Sequence, residues 1–366
     1  MPSGKKVDVI IVGGGPGGSV AAKVCAEAGL KTLLVEKRKL PRDKVCSGMI
    51  MGAWAKNIIQ DKFGEIPESI LAPPKYLAGN MFHAPGLTPE SLEWHTPISW
   101  RKDLDYWLIE KAAAAGVQVW DRTKALSLSK NKERLTLVCR QPGGTVEIEG
   151  RYLVGADGAS SRIRKLLYPD LKVRYSIPIR ECYQGKLDLD VNYIHWFFPR
   201  MKPRPRFNVN HKGDSFLIEG SGMKVLRADI NAILSQVGFD PESRPIWKDA
   251  CMEPLLHDAL ISGSFVPARE NVLLAGDAAG LIFPITFEGI GSSLKSGLMA
   301  AETIISVQDR QGVAADIYLE KLKPVLRTID ELVKVNRNVE AMAFEDKSKV
   351  LDALVFAYGE TLRIQD

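Results

Sequence analysis

The sequence predicts an α/β fold in which a Rossmann-like dinucleotide-binding domain carries an inserted antiparallel β-sheet substrate domain and is followed by C-terminal helices. Three observations predict it. A glycine-rich turn, VGGGPGG, separates a β-branched run from an Ala-rich stretch of helical length near the start of the chain. A second strand–turn–helix passage begins with NVLLAGDAAG at Asn271. Between the two, residues 174 to 261 alternate apolar and polar side chains in the manner of antiparallel strands.

In chain order, VDVIIVGGGPGGSVAAKVCAEAGLKTLLVEKR reads as strand, glycine turn, helix, stop at Gly29 and second strand, which is one βαβ unit. The Pro-rich stretches APPKYLAGN and HAPGLTPE interrupt it. RKDLDYWLIEKAAAAGVQVW resumes with a helix that ends at Gly116 before another strand. RLTLVCR and TVEIEG, separated by QPGG, read as a hairpin. Inside the alternating region, NAILSQVGFDPESR reads as a helix and its exit. After NVLLAGDAAG the chain is helical to its end, and Pro324 is expected to interrupt the last helical stretch. Nucleotide-type pieces at both ends with sheet material between them divide the chain as follows. Residues 1–72, 98–172 and 264–310 form the nucleotide domain, 73–97 and 173–263 the sheet domain, and 311–366 a helical region.

A chain of 366 residues is long for one core and buries roughly three quarters of its unfolded surface, so stability requires neither disulfides nor metal. Hydrophobic content of 45% and charged content of 25% exclude a disordered or fibrous protein. Cysteines 25, 46, 139, 182 and 251 form no CxxC pair, which points to a reducing, cytoplasmic compartment. His83, His95, His211 and His257 show no metal-ligand spacing, and no metal is expected. A net charge of +5 spread along the chain gives no footprint for nucleic acid. The opening MPSGKKVDVIIVGGG is read as a strand and not a signal peptide. No run reaches the about 18 apolar residues of a spanning helix, so membrane contact is expected to be peripheral.

Gly13, Gly15 and Gly18 form GxGxxG, whose missing side chains let backbone N–H groups approach a pyrophosphate at a helix N-terminus. Glu36 ends the next strand, where it accepts hydrogen bonds from a ribose diol. This fingerprint serves NAD and FAD alike. YLVGADGASSRIRKLL (152–167) and NVLLAGDAAGLIFPITFEGIGSSLKSGLMAAE (271–302) resemble the DG and GD motifs of FAD-dependent oxidoreductases of the hydroxybenzoate hydroxylase type. Within that class, EGIGSSLKSGLMAAE and KVCSGMI are similar to the geranylgeranyl reductase family. The resemblance spans about residues 8 to 300 and rests on four motifs in order.

The resemblance implies an FAD-binding domain and a set of site residues. Gly17 and Glu36 would hold the adenosine half with Lys37 beside them, and Ala125 would offer backbone groups to the adenine. Arg101 would approach the phosphate and ribitol region, Asp157 and Gly158 the pyrophosphate, and Asp277 the ribitol or pyrophosphate oxygens. Gly289 and Ile290 would present N–H groups to the flavin N1 and O2 edge. Reduced flavin is negative near N1, and a helix N-terminus there supplies donors and the positive end of a dipole. Glu288, next to that turn, is either a loop or capping residue or a proton-handling group. Cys46 would lie beside the flavin ring with Ser47 and Gly48 passing close. A thiol of pKa about 8.5 can deliver a proton while flavin delivers hydride, which makes Cys46 the candidate catalytic residue, against a role in cofactor packing alone. The other four cysteines read as small buried hydrophobes.

HWFFPR, at 195 to 200, is unusually aromatic. On a strand, Ile194, Trp196 and Phe198 share one face, and Tyr193, His195 and Phe197 the other. The family carries Y-x-W-x-F-P on a sheet that roofs its substrate cavity; this chain keeps Trp196, Phe198 and Pro199 but has Ile194 in place of the tyrosine. A hydrophobic substrate wall of Ile194, Trp196, Phe198 and Pro199 is therefore expected, against plain core packing, and the departure at Ile194 puts the family's particular substrate in doubt. His195 reads as a packing residue. Arg200, Lys202, Arg204 and Arg206 follow in a Pro-rich turn, either a solvated loop or a site for a phosphate headgroup, a CoA tail or an acidic electron carrier. The C-terminal stretch DIYLEKLKPVLRTIDELVKVNRNVEAMAF is amphipathic and basic, reading first as capping helices and second as a surface for anionic lipid.

The function these readings imply is FAD-dependent reduction of a carbon–carbon double bond in a hydrophobic, isoprenoid or lipid substrate. The alternatives are a flavin monooxygenase and an electron-relay flavoprotein. No second GxGxxG follows a strand, so the electron donor is left open among NADPH, ferredoxin and a quinol.

Overall fold

The computed structural model describes residues 4–131, 134–200, 202, 204–308, 314–345, 349–363 and 365. It is a mixed α/β structure built around two large sheets. The first has six strands, in spatial order Ala268–Arg269, Val272–Leu274, Tyr152–Gly155, Val9–Val12, Thr32–Val35 and Gln118–Trp120. All its pairs are parallel except the first. Val9–Val12 and Thr32–Val35 are buried on both faces, which is why they read as continuous apolar runs without alternation. Register aligns Val12 with Val35 and with Gly155, and Gly155 with Leu274. The segments that leave these four positions therefore emerge together at the carboxyl end of the sheet, where open α/β folds bind ligands.

Helix Pro16–Glu27 follows the glycine turn and packs on helix Ile290–Ser306. Gly17 sits at this crossing: a Cβ there would come within 2.7 Å of the Ser293 carbonyl. A third sheet carries the hairpin expected from the sequence, Arg134–Gln141 paired with Gly144–Gly150.

The second large sheet has seven strands, in spatial order Trp247–Ala250, Pro178–Gln184, Ser215–Ser221, Phe207–Lys212, Tyr193–Phe197, Leu71–His83 and Glu90–Ser99. On one face Phe197, Phe207, Val209, Phe216 and Ile218 form a core with helix Met223–Leu234. That helix begins earlier than the NAILSQV stretch, because Met223, Leu226, Ile230 and Leu234 supply a buried helical stripe. The opposite face meets helix Val350–Arg363, where Phe82 and Trp196 both pack against the Tyr358 ring.

The interruption expected at Pro324 does not occur. Ala314–Glu345 is one helix with Pro324 inside it. Pro324 lies on the exposed face while Tyr318, Leu322, Val325, Ile329 and Leu332 are buried on the other, so packing outweighs the lost backbone hydrogen bond. Among the described residues no helix is long and apolar enough to cross a membrane.

Candidate active site

A cavity of about 1290 Å³ lies between the carboxyl end of the parallel sheet and the antiparallel sheet. That exceeds the roughly 300–1,000 Å³ of an ordinary small-molecule pocket, so it has room for a dinucleotide and a second molecule. Gly13 opens its floor with φ +109°, and a Cβ there would come within 2.3 Å of the Ala156 carbonyl. Helix Pro16–Glu27 then starts from extended Gly15, which has no side chain to cap it, and the Gly17 N–H donates to Ser293 Oγ at 3.2 Å. Gly15 and Pro16 line the cavity, so this N-terminus is the anion cradle.

Glu36 is buried at the end of the adjacent strand. Its Oε2 accepts from the Gly14 N–H at 3.0 Å and from Arg42 Nε at 3.1 Å, and its Oε1 accepts from the Arg38 N–H at 3.0 Å. Arg42 Nη1 also reaches Asp105 Oδ2 at 3.0 Å, and Asp105 takes a two-point bond from Arg101 at 2.8 and 3.0 Å. Burial alone would raise the Asp105 pKa, but Arg101 and Arg42 outweigh it and hold the carboxyl below the usual carboxylate range. A buried Glu–Arg–Asp–Arg chain thus runs along the cavity from the glycine turn towards Cys46.

The DG and GD turns face each other beyond it. Asp157 Oδ2 accepts from the Arg162 and Ile163 N–H groups at 2.6 and 3.2 Å, capping helix Arg162–Leu167 while lining the cavity. Asp277 Oδ2 accepts from Lys44 Nζ at 3.1 Å, and its carbonyl accepts from buried Arg164 at 3.0 Å. Helix Ile290–Ser306 starts at Gly289. Glu288 Oε1 accepts from the Gly291 N–H at 2.5 Å, and its Oε2 has no partner. Burial pushes this carboxyl up to about 7 against the pull of those amides.

Cys46 is half-buried on the lining. Its Sγ accepts from the Gly48 N–H at 3.4 Å, and its carbonyl accepts from Arg180 Nη1 at 2.6 Å. Behind it Lys212 donates to the Ser99 carbonyl at 3.0 Å and lies 4.2 Å from the Trp100 ring centre. Burial pushes the Lys212 amine down to about 8. The structure therefore places Gly13, Gly15, Glu36, Lys37, Cys46, Ser47, Arg101, Ala125, Asp157, Gly158, Asp277, Gly289 and Ile290 on one cavity lining, with Gly17, Gly18 and Gly48 off it.

On the sheet side Trp196 lines the cavity, with its Nε1 donating to Asn80 Oδ1 at 3.0 Å. Ile194 and Phe198 are fully buried in the core beneath the sheet, and Ile194, Phe198 and Pro199 all lie off the lining. The C-terminal helix covers this stretch, since Phe198 stacks near Phe82 and Phe82 meets Tyr358. His195 is fixed by His83 Nε2 at 2.9 Å and the Asp190 carbonyl at 2.9 Å. In the basic turn, Arg204 and Arg206 line the cavity, donating to the Pro284 and Ile285 carbonyls at 3.1 and 2.7 Å although Arg204 keeps an exposed side, whereas Arg200 and Lys202 are exposed and lie off the lining. What sequence reasoning missed is the polar half of this wall, Arg180, Asn208 and Glu219, together with Arg42 and Lys44 on the floor. Only Arg42 and Lys44 had a signal, Lys44 as the first residue of KVCSGMI and Arg42 two places ahead of it.

The profile of the family described as FAD dependent oxidoreductase matches residues 8–160. The digeranylgeranylglycerophospholipid reductase of Methanocaldococcus jannaschii is 27% identical over 372 residues, covering 97% of this chain and 91% of that protein. The chloroplastic geranylgeranyl diphosphate reductase of Arabidopsis thaliana is also 27% identical, covering 91% and 75%. The chain is an FAD-dependent oxidoreductase that resembles the geranylgeranyl reductases. Its fold is shared with a geranylgeranyl bacteriochlorophyll reductase-like protein from Thermoplasma acidophilum, at TM-score 0.75 and 21% identity over 98% of this chain and 97% of that one. A flavin-dependent brominase has the fold as well, at TM-score 0.76 and 18% identity over 98% and 95%. The cofactor of this chain is FAD. The groups present fit it: a glycine-rich helix start on the lining for the pyrophosphate, a buried carboxylate at Glu36, and a second helix start at Gly289.

Proposed function

We propose that the enzyme reduces carbon–carbon double bonds of a hydrophobic isoprenoid or lipid substrate, as the names of its relatives indicate for them. The observation that carries this reading is the single cavity reaching from the Gly13 turn to Trp196, larger than a dinucleotide site needs and with more apolar than polar lining. Bound FAD supplies the hydride chemistry. The chain's own residues bind and orient. In this reading Gly13, Gly15 and Gly17 with Gly18, Glu36, Lys37 and Ala125 hold the adenosine and pyrophosphate half. Arg101, Asp157, Gly158 and Asp277 hold the ribitol and phosphate region, and Ser47, Gly48, Gly289 and Ile290 border the ring. Cys46 is a catalytic residue in contact with the reacting bond. Trp196 excludes water and orients the chain from above, with Ile194, Phe198 and Pro199 backing it.

The electron donor is NADPH, ferredoxin or a quinol, and the enzyme works in the cytoplasm with peripheral membrane contact. The test is anaerobic incubation of dithionite-reduced holoenzyme with a geranylgeranyl lipid, followed by mass spectrometry. A gain of two hydrogens per double bond supports the reading. Product that forms only with oxygen, and carries it, replaces reductase by monooxygenase.

A further inference from the structure

Four residues from four neighbouring strands stand side by side on the sheet wall of the cavity. Arg180 pairs with Glu219, Glu219 with Asn208, and Asn208 with Trp196. All four line the cavity. A wall meant for an isoprenoid chain has no packing use for a carboxyl group, and Glu219 is only 7% exposed. Its Oε1 has no hydrogen-bond partner, and neither has the Oδ1 of neighbouring Asn208.

The nearby cations are engaged elsewhere. Arg180 gives Nε and Nη2 to Asp249 at 3.0 and 2.6 Å and Nη1 to the Cys46 carbonyl at 2.6 Å. Lys212 donates to the Ser99 carbonyl. A buried carboxylate whose oxygen faces no donor is unfavourable, whereas the neutral acid supplies its own O–H to a vacant acceptor. Burial raises the Glu219 pKa, Asp249 adds to this, and Arg180, Lys212 and a hydrogen bond with the Asn208 side chain oppose it, with the balance above the usual glutamate range.

We propose that Glu219 is the proton donor of the reaction, acting from the sheet wall. The proposal rests on the reductase reading. As the electron pair arrives as hydride from the reduced flavin at one alkene carbon, the Glu219 O–H bond breaks and a C–H bond forms at the other. The alkene gains two hydrogens, the flavin is oxidised by two electrons, and Glu219 is left as a carboxylate. Arg180 and Lys212 stabilise that charge through space until water entering by the cavity mouth reprotonates it. Cys46 then touches the bond without giving up its proton.

Two measurements on the full-length protein test this. Infrared difference spectroscopy of the wild type at neutral pH against E219Q is expected to show a protonated-carboxyl band that E219Q lacks. In single turnover of dithionite-reduced holoenzyme, E219Q is expected to be slower by about a hundredfold or more, with FAD content and substrate affinity retained, and E219D to recover part of the rate. The wild-type rate should fall as pH rises through the Glu219 titration, the E219Q rate should not, and C46S should slow turnover less than E219Q does. Absence of the band, or an E219Q rate within about threefold of wild type, overturns the proposal and leaves the reductase reading standing. Wild-type enzyme that reduces no alkene overturns both, whatever the spectrum shows.

Discussion

The glycine-turn wall and the antiparallel wall enclose the same cavity but assemble it from different contacts. On the first, most contributors are backbone groups or side chains a few residues from a strand end, and their partners are close in sequence or at the ends of adjacent parallel strands. Gly13, Glu36 and Asp157 fall into this pattern. On the second, the lining is a row across four strands in which Arg180, Glu219, Asn208 and Trp196 are neighbours only through register. A local wall survives considerable change elsewhere; a register-built wall changes with any shift of one strand, because one residue of slip turns every side chain to the other face.

Substitutions should separate the walls in graded fashion. Gly13→Val places branched bulk where even a Cβ meets the Ala156 carbonyl, so the purified protein should be colourless, with FAD affinity down by roughly a hundredfold or more. Asp105→Asn leaves Arg101 without its buried anion and Arg42 with Glu36 alone, at a cost of about 3–5 kcal/mol in urea unfolding. Its depressed pKa means that the wild-type contribution is present above the ordinary carboxylate range and lost as pH falls below it, so the two proteins should converge in acid.

On the other wall, positions two apart should behave differently. Phe198→Ala should cost about 3–5 kcal/mol of stability while KM per folded molecule stays near wild type, since Phe198 is in the core. Glu288 lies at the junction of the walls, and its carboxyl, raised to about 7 by burial, destabilises the fold as pH climbs from the glutamate range to neutrality. Glu288→Gln should remove that slope, a difference on the order of 3 kcal/mol at neutral pH by thermal unfolding against pH. The smallest effect belongs to Trp196→Phe, which keeps an aromatic face but loses the bond to Asn80. KM for the hydrophobic substrate should rise about three- to tenfold with little loss of stability. Equal effects of Phe198→Ala and Trp196→Phe on KM would erase the distinction between core and lining on this strand.

What the sequence by itself determined is the α/β architecture, the βαβ start, the position of the hairpin at 134–150 and the resemblance to the geranylgeranyl reductases, because each depends on periodicity or on a motif within about thirty residues. Glu36 and Gly13 were legible for the same reason: their roles follow from where a strand stops. Only the tertiary structure decided that Trp196 lines the cavity while Ile194, on the same face of the same strand, and Phe198, just past its end, do not. It also put Arg204 and Arg206 on the cavity lining and kept Pro324 inside a helix. Those outcomes depend on what covers each position: Ile194 and Phe198 are closed in the core, while Trp196 meets both the Tyr358 ring and the cavity. Glu219 is the clearest case, since an alternating strand shows which face a residue takes but not whether that face meets protein, water or substrate.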